Sequence, residues 1–359
     1  MTGIGYLISF IYSFFTPEFF FGASVAVLWI EFIIVAAVIV VSGTQISKYG
    51  DVIAEKTGMG RAWTGLIMLA SITSLPEFVT GISAVTVADV PDIAVGDILG
   101  ACILNLLILA LLDPMDKGSP IFVKVGRSHV LSAGFGIILL GIVAASIVLK
   151  PFVPSFFHIG AYTPVIIFIY LVGIRVVYSY EKKYLSTVAE ETVEKLMYTH
   201  ISGKKAAVMY SLNALVIIIA ASALPFIARS LSRQTGLGED FMGTVFVAFT
   251  TTLPEMVVSF SAIRIGAADL ALGNLLGSNM FNVALLAVDD VFFLEGPLLL
   301  KVSASHAVTG IMAILMTAIV LVSITYRPER KATRFGWDSI SMIVLAVLNI
   351  YLLYLLKDQ

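Results

Sequence analysis

Two glutamates stand where glutamates are costly. Glu77 lies in "ASITSLPEFVTG" (70–81) and Glu255 in "AFTTTLPEMVVS" (248–259), each directly after a proline and inside an apolar run long enough to cross a bilayer. Glu77 is 16 residues after Arg61 and 12 before Asp89, and Glu255 is 15 after Asp240 and nine before Arg264. Both carboxylates therefore fall near the middle of their spans, where an ionised group needs compensation. Two such carboxylates brought together cannot both stay charged without a counter-charge, and a cation supplies it. Each proline removes one backbone N–H and so frees a carbonyl four residues back, at Ile72 and Thr250. Freed carbonyls, the hydroxyls of Thr73, Ser74, Thr251 and Thr252, and the two carboxylates are all hard oxygen ligands. Such a set suits Na⁺, Ca²⁺ or Mg²⁺, and Ca²⁺ accepts six to eight of them. A plain structural reading, a kink with a buried hydrogen bond, explains one motif more easily than two.

The elements that must carry these residues follow from composition. The 359-residue chain is 59% hydrophobic and 13% charged. A soluble domain would be about a quarter charged, so this is an integral membrane protein. The apolar runs have the length of helical spans rather than of barrel strands. Ten spans are expected, at 26–47, 62–86, 92–112, 128–149, 161–179, 206–227, 241–263, 267–288, 302–325 and 337–356. Residues 1–25 form a short N-terminal hydrophobic segment without a cleavable signal. The polar stretch 180–205 is a central linker between the halves 26–179 and 206–359. Of the 22 Lys and Arg, 17 fall in or beside the loops after the odd-numbered spans, which places those loops and the linker in the cytoplasm. A net charge of −2 gives no basis for a nucleic-acid partner, and the lone Cys102 excludes an internal disulfide. The expected surroundings are the lipid bilayer of the cell membrane and inorganic cations.

The halves are copies. A shift of 178 residues lays "TGMG" (57–60) on "TGLG" (235–238), Thr73 on Thr251 and one LPE on the other. After a one-residue slip, "GDILGACILN" (96–105) falls on "GNLLGSNMFN" (273–282), Asp113 on Asp290 and "KVGRSHV" on "KVSASHA". Five spans per half force the second copy to enter the membrane from the opposite side. The fold expected is all-α, ten transmembrane helices in two inverted five-helix repeats, a mark of secondary transporters with a site at the midplane. The glycines of the two ten-residue segments permit close helix approach. Asn105 and Asn282 occupy equivalent places and can offer oxygens to the centre, with Ser278 one turn before Asn282 on the same face.

With these motifs in view, the chain resembles the sodium/calcium exchanger membrane family, part of the calcium/cation antiporter superfamily, over nearly all of both halves. "TTLPE" followed by "GNLLGSNMFN" carries most of the likeness, and "TSLPE" with "GDILGACILN" is a weaker copy. The resemblance implies that Glu77, Glu255, Thr73 and Thr251 form a Ca²⁺ site. It further implies flanking Na⁺ sites from the Ala70 carbonyl and Ser74, and from the Ala248 carbonyl, Thr252 and Ser278, with Asn105 and Asn282 between. No cofactor and no enzyme chemistry are implied. Three departures stand out: Ala101 where a serine is expected, Asp97 where an asparagine is usual, and Asn282 where some relatives carry aspartate. The central site is then expected to hold two fixed negative charges. Ala101 lacks one Na⁺-binding hydroxyl, which leaves a Ca²⁺/H⁺ exchanger as the nearer alternative and a cation channel or non-transporting sensor as the remoter one.

Other residues have simpler expectations. His129 and His306 are read as a polar cluster at helix starts on the membrane interface, with a pH-sensing or gating role as the alternative. Asp113 and Asp290 end the GDILG and GNLLG helices and are read as capping or interface-solvated residues, with ion binding as the alternative. Asp97 either lines the ion path or pairs with a neighbour. Cys102 is read as a small buried apolar residue.

Overall fold

The computed structural model describes residues 24–57, 70–115, 121–123, 125–188, 201–264, 266–326 and 335–356. The first half contains α1 (Val25–Thr57), α2 (Ala70–Thr73), α3 (Leu75–Ser83) running into a π-helical turn (Ala84–Ala88), α4 (Pro91–Leu112) and α5 (Ser128–Val148). A two-residue antiparallel pair, β1 (Ser155–Phe156) with β2 (Ile159–Gly160), leads into α6 (Tyr162–Val188). The second half contains α7 (Gly203–Thr235), α8 (Glu239–Phe241), a π-helical segment (Met242–Val247), α9 (Ala248–Thr251), α10 (Leu253–Arg264) and α11 (Ala268–Phe292). It closes with α12 (Leu298–Lys301), α13 (Ser305–Tyr326) and α14 (Trp337–Leu356).

Eight of these helices are long and apolar enough to cross a membrane: α1, α4, α5, α6, α7, α11, α13 and α14. The pair Glu239–Thr251 and Leu253–Arg264, bent by 45°, makes a ninth if it is one span. These nine match nine of the ten expected spans. The remaining one, 62–86, lies partly outside the described residues and is represented by α2, α3 and the π-turn. Residues 1–23 of the N-terminal segment 1–25 and residues 189–200 of the 180–205 linker also lie outside the described residues.

Burial separates core helices from peripheral ones. In α4 and α11, 83% of the apolar window is buried, against 22% in α1 and 28% in α6 and α14. The outer faces show exposed apolar side chains such as Ile33 and Val41 on α1, Phe168 and Leu171 on α6, and Val347 on α14. Apolar surface of this kind is stable only against lipid.

The two copies interleave. α1 of the first half runs chiefly along α7 of the second, α5 packs on α13, and α4 packs on α11 and on the π-helical segment before α9. Glycines set that last contact. A Cβ at Gly100 would lie 2.3 Å from the Thr244 carbonyl oxygen, and one at Gly243 would lie 2.8 Å from that of Ile93. Only backbone against backbone fits there.

The conserved-looking helix ends of the repeat also meet their opposite numbers. His129 Nε2 lies 3.1 Å from Asp269 Oδ1, and His306 Nε2 lies 3.0 Å from Asp92 Oδ1. Asp269 also accepts from the Gly126 N–H, and Asp92 from that of Ser303. The histidines do stand in polar clusters at helix starts, His129 in the first turn of α5 and His306 in that of α13. The clusters are clasps between the two halves, in which the histidines are buried while the Asp269 side chain is 63% exposed and that of Asp92 25% exposed. Asp113 and Asp290 do not cap the helices they end, since a carboxylate can only accept; they hold neighbouring segments instead, Asp113 accepting from the Ile121 and Gly336 N–H groups and Asp290 from those of Gly160 and Leu298.

Candidate ion-binding site

Both LPE motifs break their helix at the same place. α2 gives way to α3 at Ser74 (φ −83°, ψ 16°), and α9 to α10 at Thr252 (φ −79°, ψ −7°). Proline two residues on is the local cause, since its ring displaces the preceding turn and it has no N–H to donate. The helix recovers at once: Phe78 N–H donates to the Ser74 carbonyl at 3.1 Å, and Met256 N–H to that of Thr252 at 3.1 Å. Gly43 of α1 lets the Pro254 ring lie against its backbone, where a Cβ would come within 2.5 Å of Pro254 Cγ. Each break turns a Thr-Ser or Thr-Thr pair and, three residues on, a glutamate toward the centre.

The broken helices exchange partners across the halves. Ser74 Oγ donates to Glu255 Oε1 at 3.2 Å. Thr73 Oγ1 reaches Asn274 Oδ1 at 3.4 Å and Ser278 Oγ at 3.5 Å, and it also faces Glu255. In the other direction, Thr251 Oγ1 donates to Asp97 Oδ1 at 2.8 Å and faces Glu77. Glu77, Glu255, Thr73, Ser74, Thr251, Thr252, Ser278, Asn105 and Asn282 are all buried.

Several of their oxygens have no hydrogen-bond partner: both of Glu77, Oε2 of Glu255, Oγ1 of Thr252, Oδ1 of Asn105 and Oδ1 of Asn282. Buried polar atoms are normally paired, so a group of orphans concentrated at one place is the signature of a site for something polar. The buried residues among those described include no Lys or Arg, so no fixed cation balances the carboxylates. Nor is any set of three or more His, Cys, Asp or Glu side chains among them arranged as a ready-made metal cage. An ion here must draw on hydroxyl, amide and backbone oxygens as well, which is the habit of Na⁺ and Ca²⁺ rather than of Zn²⁺.

Not every expected ligand is equally placed. The Ala248 carbonyl already accepts from Thr252 N–H at 3.0 Å, as in a regular helical turn, which engages one of its lone pairs. Ala70 begins α2, on the first turn before the break. Asn105 spends its Nδ2 on Asn279 Oδ1 at 2.9 Å, while Asn279 Nδ2 reaches the Cys102 carbonyl at 3.2 Å. Asn279 and Cys102 are equivalent positions, so this contact stitches α4 to α11. Cys102 is buried, as expected of a small apolar residue.

The charge count differs from expectation. Asp97 is fully buried, holds Thr251 and lies within electrostatic reach of Glu77 and Glu255. The cluster thus carries three carboxylates, not two. Its repeat partner Asn274 donates to Ser259 Oγ at 3.1 Å. The aligned motifs already paired Asp97 with Asn274, so the signal was present; what it lacked was the partner across the halves.

A sequence profile described as "Sodium/calcium exchanger protein" matches residues 27–180 and again 205–356, one match for each half. The chain belongs to this family. It is accordingly a multi-pass membrane protein of an antiporter family. The inner membrane protein YrbG of Escherichia coli K12 is 25% identical over 69% of this chain and 74% of its own length. The sodium/calcium exchanger MaX1 of Methanosarcina acetivorans is 32% identical over 33% of this chain and 32% of its own. Solved structures share the fold: the exchanger NCX_Mj soaked with Na⁺ and Ca²⁺ (TM-score 0.58, 19% identity, 90% of this chain and 98% of that one) and native YfkE (TM-score 0.60, 16%, 95% and 99%).

Proposed function

We propose that this protein is a secondary antiporter that exchanges Ca²⁺ for Na⁺ by alternating access, across the cell membrane and through the cluster between the two LPE motifs. The observation that carries the reading is the pairing of Glu77 and Glu255: two fully buried carboxylates at equivalent helix breaks, with orphaned oxygens and, among the described residues, no buried Lys or Arg. Ca²⁺ binds Glu77 and Glu255 with Thr73 and Thr251. Na⁺ binds the flanking oxygens of Ser74 with the Ala70 carbonyl and of Thr252 and Ser278 with the Ala248 carbonyl, and Asn105 and Asn282 lie at the middle position between them. Ca²⁺ and Na⁺ compete for overlapping oxygens, and only a neutralised cluster crosses cheaply between the two access states, which couples the fluxes. The halves sit in the membrane in opposite orientations, giving ten spans with the 180–205 linker in the cytoplasm.

The test is radioactive Ca²⁺ uptake into proteoliposomes loaded with Na⁺, at uniform pH and clamped potential. Uptake driven by the Na⁺ gradient, lost when Na⁺ is equal on both sides and lost in Glu77→Gln and Glu255→Gln, is the expected result. Wild-type exchange in either glutamine variant rules out the site. Ala101 supports a second reading, since the place equivalent to Ser278 offers no hydroxyl: Ca²⁺/H⁺ exchange. Uptake indifferent to Na⁺ but driven by an acidic interior selects it.

A further inference from the structure

Asp289 is the carboxylate that the exchange reading leaves unused. It lies near the end of α11, is 1% exposed, and neither of its oxygens has a hydrogen-bond partner. It presses directly on the backbone of α3 at Gly81, where an added Cβ would come within 2.5 Å of Oδ2 and 2.8 Å of Oδ1. Gly81 is one helical turn beyond Glu77 and so on the same face. Asp97, whose Oδ2 is also orphaned, is within electrostatic reach of Asp289.

Comparison of the two copies shows what is special here. The position equivalent to Gly81 is Ser259, that of Asp97 is Asn274, and that of Asp289 is Leu112. In the second-half set, the amide of Asn274 meets the hydroxyl of Ser259, and the place of the second aspartate is apolar. That arrangement is neutral and satisfied. The first-half set has a glycine, an aspartate with one free oxygen, and a second aspartate filling the room that the missing side chain leaves. An uncompensated buried carboxylate costs several kcal/mol. Two together, with no buried Lys or Arg among the described residues, need a positive charge from outside the protein.

We propose that Asp97 and Asp289 hold an additional hard cation, Na⁺ or Ca²⁺, beside the Glu77–Glu255 cluster and on one side of it only. The proposal builds on the exchange reading, but it concerns a separate ion. Asp289 Oδ1 and Oδ2 and Asp97 Oδ2 are its anionic ligands. The pair makes the pathway electrically lopsided: acidic beyond Glu77 toward the Asp97 side, neutral beyond Glu255 toward the Asn274 side.

Equilibrium binding of ²²Na⁺ and, separately, of ⁴⁵Ca²⁺ to the purified full-length protein at fixed pH tests this. The variants are Asp289→Asn, Glu77→Gln and the double change Gly81→Ser with Asp289→Leu, which installs the residues the second half carries at the equivalent places. The expected result is that Asp289→Asn and the double variant weaken a bound ion by about tenfold or more, the scale of losing a metal-site contact, while Glu77-dependent Ca²⁺ binding persists. The isotope affected identifies the cation. Glu77→Gln should lose the central ion and keep the Asp289-dependent one. If Glu77→Gln binds as wild type while Asp289→Asn is impaired, the exchange-site reading fails and this one stands. Wild-type affinity and stoichiometry for both isotopes in both Asp289 variants overturns the proposal, including the case in which the aspartate carries only a proton.

Discussion

Asp289 and Asp290 are adjacent in the chain and opposite in circumstance. Asp290 accepts hydrogen bonds from the Gly160 and Leu298 N–H groups and from the hydroxyls of Tyr162 and Thr163, whereas Asp289 accepts none. The helix turns them about 100° apart, so one faces the β1–β2 hairpin and the other faces α3. A structural and an ionic role should therefore separate cleanly. Asp290→Ala strands four buried donors and should destabilise by about 3 kcal/mol or more. Asp289→Asn, measured in cation-free buffer by thermal unfolding in detergent, should leave the midpoint unchanged or raise it, because it removes an unpaired buried charge. Equal destabilisation by the two would show that Asp289 is a structural residue as well.

The hydroxyls that cross between the halves should tune affinity rather than permit transport. Ser74→Ala removes the donor to Glu255, and Thr251→Val removes the donor to Asp97. A hydrogen bond to a charged group contributes about 1.5–3 kcal/mol. Each variant should shift half-saturating Ca²⁺ by about tenfold or more in the uptake assay, with the maximal rate less affected. An unchanged concentration dependence would remove these hydroxyls from the site.

Ala101→Ser restores the hydroxyl that Ser278 supplies in the other copy. Ala101 is fully buried on the face of α4 that carries Asn105 one turn later. The variant should bind Na⁺ more tightly and raise the Hill coefficient for Na⁺-driven Ca²⁺ uptake. No change in either quantity would mean that the place does not contact Na⁺.

Glycine packing makes a stability prediction independent of ions. Gly100→Ala drives a methyl group into the Thr244 backbone and should cost about 1–3 kcal/mol or prevent folding. Gly134→Ala, on α5 with nothing within 4 Å of the added atom, should be neutral or slightly stabilising. Thermal unfolding of the pair checks this, and a tolerant Gly100 would contradict the close approach of α4 to the π-helical segment.

The clasp of His306 with Asp92 lends itself to a double-mutant cycle. His306→Ala, Asp92→Asn and the double variant should be non-additive in unfolding free energy, with a coupling of about 0.5–3 kcal/mol. Additive losses would show that the 3.0 Å contact contributes nothing of its own.

Much of this was legible in the linear sequence because it is local. Proline at 76 and 254 announces a helix break, and the breaks fall at Ser74 and Thr252. The aligned motifs also named residues that meet across the halves, Thr73 with Ser278 and Ser74 with Glu255. What the sequence hid depends on contacts between halves. Asp92 and His306 are 214 residues apart, and no local pattern says that a helix-start histidine will find the other copy's helix start. Asp289 carries no local signal, since its meaning comes from Gly81 across the fold. Asp97 was singled out, but its partner Thr251 became visible only with the halves together.

The interleaving of the halves bears on what counts as a unit in this protein. α1 has its main partner in α7 and α5 in α13, and each histidine clasp borrows its aspartate from the opposite copy. Neither copy is self-sufficient, for each exposes the surface that the other was shaped to cover. Covalent continuity between them matters less than this mutual cover. The halves 1–188 and 201–359, made as separate chains in one cell, should find each other and restore a single woven body, whereas either chain alone should be left for the cell's proteases.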